Sequence, residues 1–203
     1  MAEVDARPGE RPRLVAEATV KTIPVDGIAE VRAELLEPYL FYTTYVSMAQ
    51  MAISLETASY IGFLARTAQS AVDFGSGFTS YVLRRYCPDV WSVDDDPEWL
   101  ERTQTFLHGR DLSTEQCVLM DDYPSGQHDL VVYDYAGGDV RNASYGFAFS
   151  QVASGGTIIL DDMQWDAHAD HARSAAAEHG MELFSCKSWT LDEFGRYADA
   201  AIR

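Results

Sequence analysis

The residues best suited to chemistry begin with Asp73, Gly75, Ser76 and Gly77, in the run Ala71-Val72-Asp73-Phe74-Gly75-Ser76-Gly77-Phe78-Thr79-Ser80. Small apolar residues lead into an acid, then a Gly-x-Gly turn, then a segment that can start a helix at Phe78. Glycine accepts positive φ and lets a ligand approach the backbone with no Cβ in the way, so Gly75 and Gly77 are expected to form an open, tight turn. The free N–H groups of the following helix start favour an electron-rich ligand group. A dinucleotide-binding turn would carry a third glycine at position 80, and this chain has Ser80, which argues against a nicotinamide oxidoreductase. An acid ahead of the first glycine repels a pyrophosphate and suits a cationic or hydroxyl-bearing ligand. Asp94 closes the apolar run Val90-Trp91-Ser92-Val93 about 20 residues beyond Gly75, the spacing at which an acid accepts from both hydroxyls of a ribose. Asp95 shares that loop. Asp95 or Asp96 can cap the next helix, with Pro97 at its first position.

Two further apolar runs end in acids. Leu130-Val131-Val132-Tyr133 delivers Asp134, and Thr157-Ile158-Ile159-Leu160 delivers the pair Asp161-Asp162. In an open α/β sheet, ligands bind at the C-terminal ends of the strands, which is where these acids would lie. Three carboxylates converging there repel one another unless protonated, spread by solvent or bridged by a cation.

With these motifs the chain resembles the class I S-adenosylmethionine (SAM)-dependent methyltransferases over about residues 71–163. Its strand-four and strand-five acids resemble those of metal-dependent small-molecule O-methyltransferases, the sugar and macrolide enzymes in particular; catechol-type relatives carry Asp-Asn where this chain has Asp161-Asp162. The resemblance implies SAM as cofactor, with its methionine part over Gly75, Ser76, Gly77 and Phe78 beside Asp73, and its ribose on Asp94. It implies that the loop Met120-Asp121-Asp122-Tyr123 borders the adenine: Asp121 or Asp122 would accept from the exocyclic amine, with Met120 and Tyr123 flanking the ring. An acidic surface loop is the competing reading. It also implies magnesium on Asp134, Asp161 and Asp162, Asp134 serving the cofactor side and catalysis as well. The alternative has Asp161 facing the cofactor or a helix N-terminus and Asp162 facing solvent. His168 is a candidate general base by position alone, just beyond the fifth strand, against the simpler reading of a surface histidine.

These residues need elements to hold them. Residues 1–13 mix Pro, Gly and charge and read as a loose leader; residues 14–69 read as an N-terminal helical cap or lid; residues 70–203 read as the SAM-binding domain. The cap includes a β-like run Ala18–Ile23, a helix Gly27–Glu37 ended by Pro38, and a helix Ser54–Thr67. Between them Tyr39, Phe41, Tyr42, Tyr45, Met48 and Met51 crowd together, either as a buried helix or as a lid over an acceptor pocket. From Ser70, strands are expected at Ala71–Phe74, Val90–Val93, Cys117–Met120, Leu130–Tyr133, Thr157–Leu160, Glu182–Lys187 and Ala198–Ile202. Helices are expected at Phe78–Tyr86, Pro97–His108, Ser144–Ala153 and Ala167–His179. That alternation predicts an α/β fold: a Rossmann-like, doubly wound, seven-stranded sheet. No helix is evident between the last two strands, and a closing antiparallel hairpin is expected.

A length of 203 residues suits one sizeable core. A net charge of -17 repels phosphate backbones and anionic membranes, so a small-molecule methyl acceptor is expected rather than nucleic acid. Methyl acceptors on nitrogen, protein or nucleic acid remain alternatives within the enzyme class, and a non-catalytic SAM-binding partner or regulatory protein is the alternative outside it. The three cysteines have no metal or disulfide spacing. No run is long and apolar enough to span a bilayer, and a cytoplasmic location is expected. A homo-oligomer is left open.

Overall fold

The computed structural model describes residues 25–47, 51–135 and 137–203. The leader, the run Ala18–Ile23 and Met48 lie outside the described residues. Among the described residues, seven strands, β1 (Ser70–Phe74), β2 (Asp89–Asp94), β3 (Cys117–Leu119), β4 (His128–Tyr133), β5 (Val152–Leu160), β6 (Leu183–Ser185) and β7 (Asp199–Ile202), form one sheet in the order β3-β2-β1-β4-β5-β7-β6. The first five run parallel, and β7 is antiparallel to both neighbours, giving the expected closing hairpin. Parallel strands covered on both faces read as continuous apolar runs. Their side chains alternate: Ala71, Leu130, Val132 and Ile159 enter one core, Val72, Phe74, Val131, Tyr133, Ile158 and Leu160 the other. The first core is closed by α1 (Val25–Tyr45), α2 (Leu55–Ala65), α3 (Phe78–Tyr86) and α4 (Pro97–His108). The second is closed by α5 (Gly138–Ser150) and α6 (Asp166–Glu178).

Local chemistry sets the helix starts. Ser54 caps α2 by accepting from the Thr57 N–H at 3.0 Å. Asp96 caps α4, accepting from Glu98 and Trp99 at 2.9 and 3.2 Å, so Asp96 rather than Asp95 is the structural acid of that loop.

The structure departs most from the sequence reading at three places. α1 does not stop at Pro38. A proline in a helix interior forfeits one hydrogen bond and costs about 3 kcal/mol. The turns beyond it are held by aromatic packing: Tyr39 and Tyr42 meet Phe78 at ring separations of 5.2 and 5.5 Å, and Tyr42 meets Phe106 at 5.0 Å. α5 starts at Gly138, six residues ahead of the expected Ser144, and ends before β5, which takes Val152 and Ala153. A one-turn helix, α7 (Lys187–Thr190), separates β6 from β7. The Cys186 carbonyl anchors it by accepting from the Thr190 N–H and hydroxyl at 3.1 and 3.0 Å, and Trp189 stacks on Tyr60. No helix among the described residues is long and apolar enough to cross a membrane.

Candidate active site

Sheet register makes the site. Phe74 is paired with Val93 on one side and Tyr133 on the other, and Tyr133 with Leu160. The next residue of each strand therefore falls into one row across β2, β1, β4 and β5: Asp94, Gly75, Asp134, Asp161. The ladder continues through that row, with Gly75 N–H on the Val93 carbonyl at 2.9 Å, Asp134 N–H on Phe74 at 2.8 Å and Asp161 N–H on Tyr133 at 3.1 Å. At a strand spacing near 4.8 Å the row spans about 14 Å.

Gly75 has φ 93°, and a Cβ there would collide with the Asp134 carbonyl oxygen. Glycine is thus required by the crossing of two chains as well as by φ. Gly77 differs from expectation: its φ of 166° is extended backbone, open to any residue. What stands over it is the Tyr42 hydroxyl, 3.2 Å from where a Cβ would be. Ser80, at the position of the missing third glycine, ties the turn together. Its hydroxyl donates to Asp73 Oδ2 at 2.7 Å and accepts from the Gly77 N–H at 3.2 Å. Asp73 is fully buried, its Oδ1 has no partner, and burial pushes its carboxyl well above the usual range against the pull of Ser80. The Phe78 side chain lies in the aromatic core beside Tyr42 and Tyr81, so only its backbone faces the turn.

Asp94 Oδ2 accepts from the Ser76 N–H and hydroxyl at 2.8 and 2.7 Å, and Oδ1 from the Asp96 N–H at 3.0 Å. A carboxylate offers about four acceptor positions. One stays open, and a second opens when the rotatable Ser76 hydroxyl turns away, which is the capacity a vicinal diol needs. Burial raises the Asp94 pKa, opposed by these bonds.

Tyr135, which the sequence reading missed, is buried beside this end of the row. Its hydroxyl is pushed up to about 12, first by burial and then by the charges of Asp95, Asp94 and Asp121. The charges of the expected residues Asp95 and Asp121 thus both reach Tyr135; Asp121 and Asp122 are exposed in the single turn Met120–Asp122. Tyr123 is a correction. The turn closes by its N–H on the Met120 carbonyl and the ring falls back into the core against Phe74 and Trp91. Its hydroxyl shares a hydrogen bond of 2.8 Å with His128 at the start of β4, so it does not flank a ligand at the strand ends.

At the other end, ligand atoms of Asp134, Asp161 and Asp162 lie within 4.8 Å of one another. Two unit charges at 4 Å repel by roughly 4 kcal/mol at an effective dielectric constant of 20. The structure supplies a cation that the sequence reading did not identify. Arg141, 4% exposed, donates from Nη2 to Asp134 Oδ1 at 2.5 Å, from Nη1 to Asp162 Oδ2 at 3.3 Å and from Nε to the Tyr135 carbonyl at 3.0 Å. Gln164 donates to Asp162 Oδ1 at 2.8 Å. Asp162 has φ 61°, a left-handed conformation that aspartate tolerates better than most residues and that recurs at functional sites. Asp161 is 4% exposed and its Oδ1 has no partner.

Burial lifts the Asp134 carboxyl to about 6, against the pull of Arg141. Burial lifts Asp161 well above the usual range, with the charges of Asp134 and Asp162 adding to it. Burial also works against the Arg141 charge, but Asp134 and Asp162 outweigh it and hold the guanidinium protonated. His168 joins this cluster. Burial and then the Arg141 charge lower its pKa, while the Asp162 carboxylate and backbone carbonyl pull the other way; its Nδ1 is buried without a partner.

Three carboxylates are the donor set of a hard divalent ion. With a guanidinium seated on two of the three and Gln164 on one of them, the residues as folded do not fit one.

The fold is that of the class I SAM-dependent methyltransferases. Among solved structures, the chain is similar to an O-methyltransferase from Bacillus cereus in complex with S-adenosylhomocysteine (SAH): TM-score 0.61, 14% identity, covering 91% of this chain and 94% of that one. It is similar to the O-methyltransferase TomG from Streptomyces achromogenes, involved in tomaymycin synthesis and solved with SAM (0.59, 15%, 90% and 91%). It is also similar to the tRNA (m1A58) methyltransferase TrmI from Aquifex aeolicus (0.57, 11%, 75% and 70%). At these identities the likeness is one of fold. No protein-family model matches the chain, and no curated protein sequence matches it.

Proposed function

We propose that this chain transfers a methyl group from SAM to an oxygen of a small hydroxylated molecule. The observation that carries the reading is the row Asp94, Gly75, Asp134, Asp161, together with Asp73 beneath the turn; Asp161 and Asp73 each hold one buried oxygen without a partner. Such a row suits a ligand that brings hydroxyls, an amine and positive charge, as SAM does. Bound SAM supplies a methyl group on a sulfonium, displaced in line by an oxygen lone pair, so that a C–O bond forms, the C–S electron pair returns to sulfur and SAH is released.

The chain's own residues then have three tasks. Asp94 and the Gly75–Phe78 turn position the cofactor. Asp161 Oδ1, buried and open, orients the acceptor hydroxyl. His168, kept neutral at pH 7 by burial and Arg141, takes the hydroxyl proton. Asp134, tied to Arg141, is an electrostatic neighbour of the transfer and no base. A small acceptor is favoured by the net charge of -17, which opposes a polyanionic substrate. The B. cereus and TomG structures are of O-methyltransferases, whereas TrmI acts on tRNA, so the fold by itself does not choose the acceptor.

Calorimetric titration with SAM, SAH and NAD tests the reading. SAM and SAH should bind and NAD should not. Asp94→Ala should weaken SAM by roughly 1–3 kcal/mol, the scale of hydrogen bonds to a charged group. Binding of NAD without SAM would overturn it. Methyl transfer from labelled SAM to a panel of phenols and sugars, measured with His168→Gln alongside, then tests the acceptor class and the base.

A further inference from the structure

We infer that Arg141 is the resident cation of the Asp134–Asp161–Asp162 cluster and stands in the place of a divalent metal, so that this chain works without one. The acid cluster alone would suggest the opposite. Two observations beyond it decide the matter. The first is how Arg141 is built in. It leaves the first turn of α5, almost fully buried, and its guanidinium donates to two of the three acids and to the Tyr135 carbonyl. The Tyr135 bond belongs to the backbone that follows Asp134 directly, so the guanidinium is fixed to the same loop as the acid it neutralises. Gly137 and Gly138, with φ 54° at Gly138, turn the chain back into the helix that returns Arg141 to the strand end. The second is Asp161. It is buried, and its Oδ1 has no partner although it belongs to the cluster. The guanidinium is spread over Asp134 and Asp162 and leaves this oxygen as the open acceptor.

A divalent ion drawing one oxygen from each acid would have to share Asp134 and Asp162 with a fixed positive charge. The arginine cannot give up its proton to make room. Arg141 is therefore a positioning residue: it fixes the acids, and through them the open oxygen of Asp161.

This inference rests on the methyl-transfer reading for the purpose of the cluster, but its test needs neither SAM nor an acceptor. The full chain is titrated with Mn2+ alone, followed by calorimetry and by the loss of the free-ion paramagnetic resonance signal. Wild type should show no saturable site. Arg141→Met, shown to be folded by circular dichroism, should gain one, binding Mn2+ at least about tenfold more strongly than wild type, and Asp161→Asn in that background should remove it. A saturable Mn2+ site in wild type that Asp161→Asn abolishes would overturn the inference. So would a folded Arg141→Met that binds no Mn2+. If Arg141→Met does not fold, Arg141→Gln, which keeps a hydrogen-bond donor but no charge, carries the same two readings. A failed SAM titration would leave these outcomes unchanged, so the two claims fall separately.

Discussion

Asp161 holds its place at a cost that depends on pH. Its carboxyl is buried beside two other acids, and its folded pKa stands well above the ordinary value of 3.8. A raised acid contributes its full stability below the unfolded pKa and loses it as pH climbs toward the folded pKa, because the unfolded chain gives up the proton sooner. Asp161→Asn keeps the shape and removes the titration. The variant should therefore gain on wild type with rising pH, by at most about 1.4 kcal/mol per unit, starting near pH 4. Urea unfolding of both proteins at about pH 5 and about pH 8 measures this. A difference that is constant, or larger at the acid end, would mean that Asp161 is not strained as its burial indicates. The same residue shows what sequence reading can reach at this scale. Position and acidity of Asp94, Asp134, Asp161 and Asp162 follow from strand ends and spacing. Their partners do not. Arg141 lies seven residues beyond Asp134 and returns through a helix that begins at a Gly-Gly pair, and Tyr42 reaches Gly77 from another helix altogether. Such contacts are made across the chain, and no local pattern carries them. Tyr123 failed for the opposite reason: a local turn, invisible in composition, sends its ring back into the core.

Among the elements, the β1 turn α3 unit was legible nearly to the residue, because a buried strand, a glycine turn and a helix start leave their marks in consecutive positions. α3 spans Phe78–Tyr86 as expected, and α4 spans Pro97–His108. Where marks conflict with packing, packing wins: Pro38 reads as a stop, yet the aromatic face of α1 carries the helix past it onto Phe78 and Phe106. α1 is accordingly part of the core, with Val31, Leu35 and Tyr42 buried, and its Tyr42 covers the turn. The two glycines of that turn should respond differently to alanine. Gly75→Ala meets left-handed strain, about 1–2 kcal/mol, and a collision with the Asp134 backbone that cannot be relieved without moving β4. It should lower the melting temperature and abolish SAM binding together. Gly77→Ala meets the Tyr42 hydroxyl at 3.2 Å and the Trp99 indole at an ordinary 3.8 Å, in extended backbone, and a small shift of the Tyr42 ring accommodates it. Its melting temperature should stay near wild type. Thermal unfolding of the pair decides: equal losses would mean that the close approach to Asp134 is not what fixes Gly75.

For the whole molecule the governing quantity is a net charge of -17 at pH 7. Two kinds of electrostatics compete in it. Short ion pairs clamp α1 to its neighbours: Arg32 with Glu56 at 3.2 Å, Arg66 with Glu34 at 2.9 Å, and Arg110 with Glu37 at 2.9 Å. Exposed pairs of this kind contribute about 0–1 kcal/mol each. Against them stands the mutual repulsion of the excess acids over the full width of the molecule. Salt separates the two by distance. The Debye length falls from about 30 Å at 0.01 M to about 8 Å at 0.15 M. Contacts near 3 Å lie inside it throughout and lose little. Repulsion between charges on opposite sides of the molecule lies outside it at the higher salt and is removed. Raising sodium chloride from about 0.01 M to about 0.15 M should therefore raise the melting temperature at pH 7, with most of the gain complete by the upper concentration. Sodium chloride is the right probe, because a monovalent salt acts chiefly by screening. Calorimetric melts across that range measure the effect. A fall in melting temperature would show that the α1 ion pairs, and not the excess negative charge, dominate the electrostatics of folding.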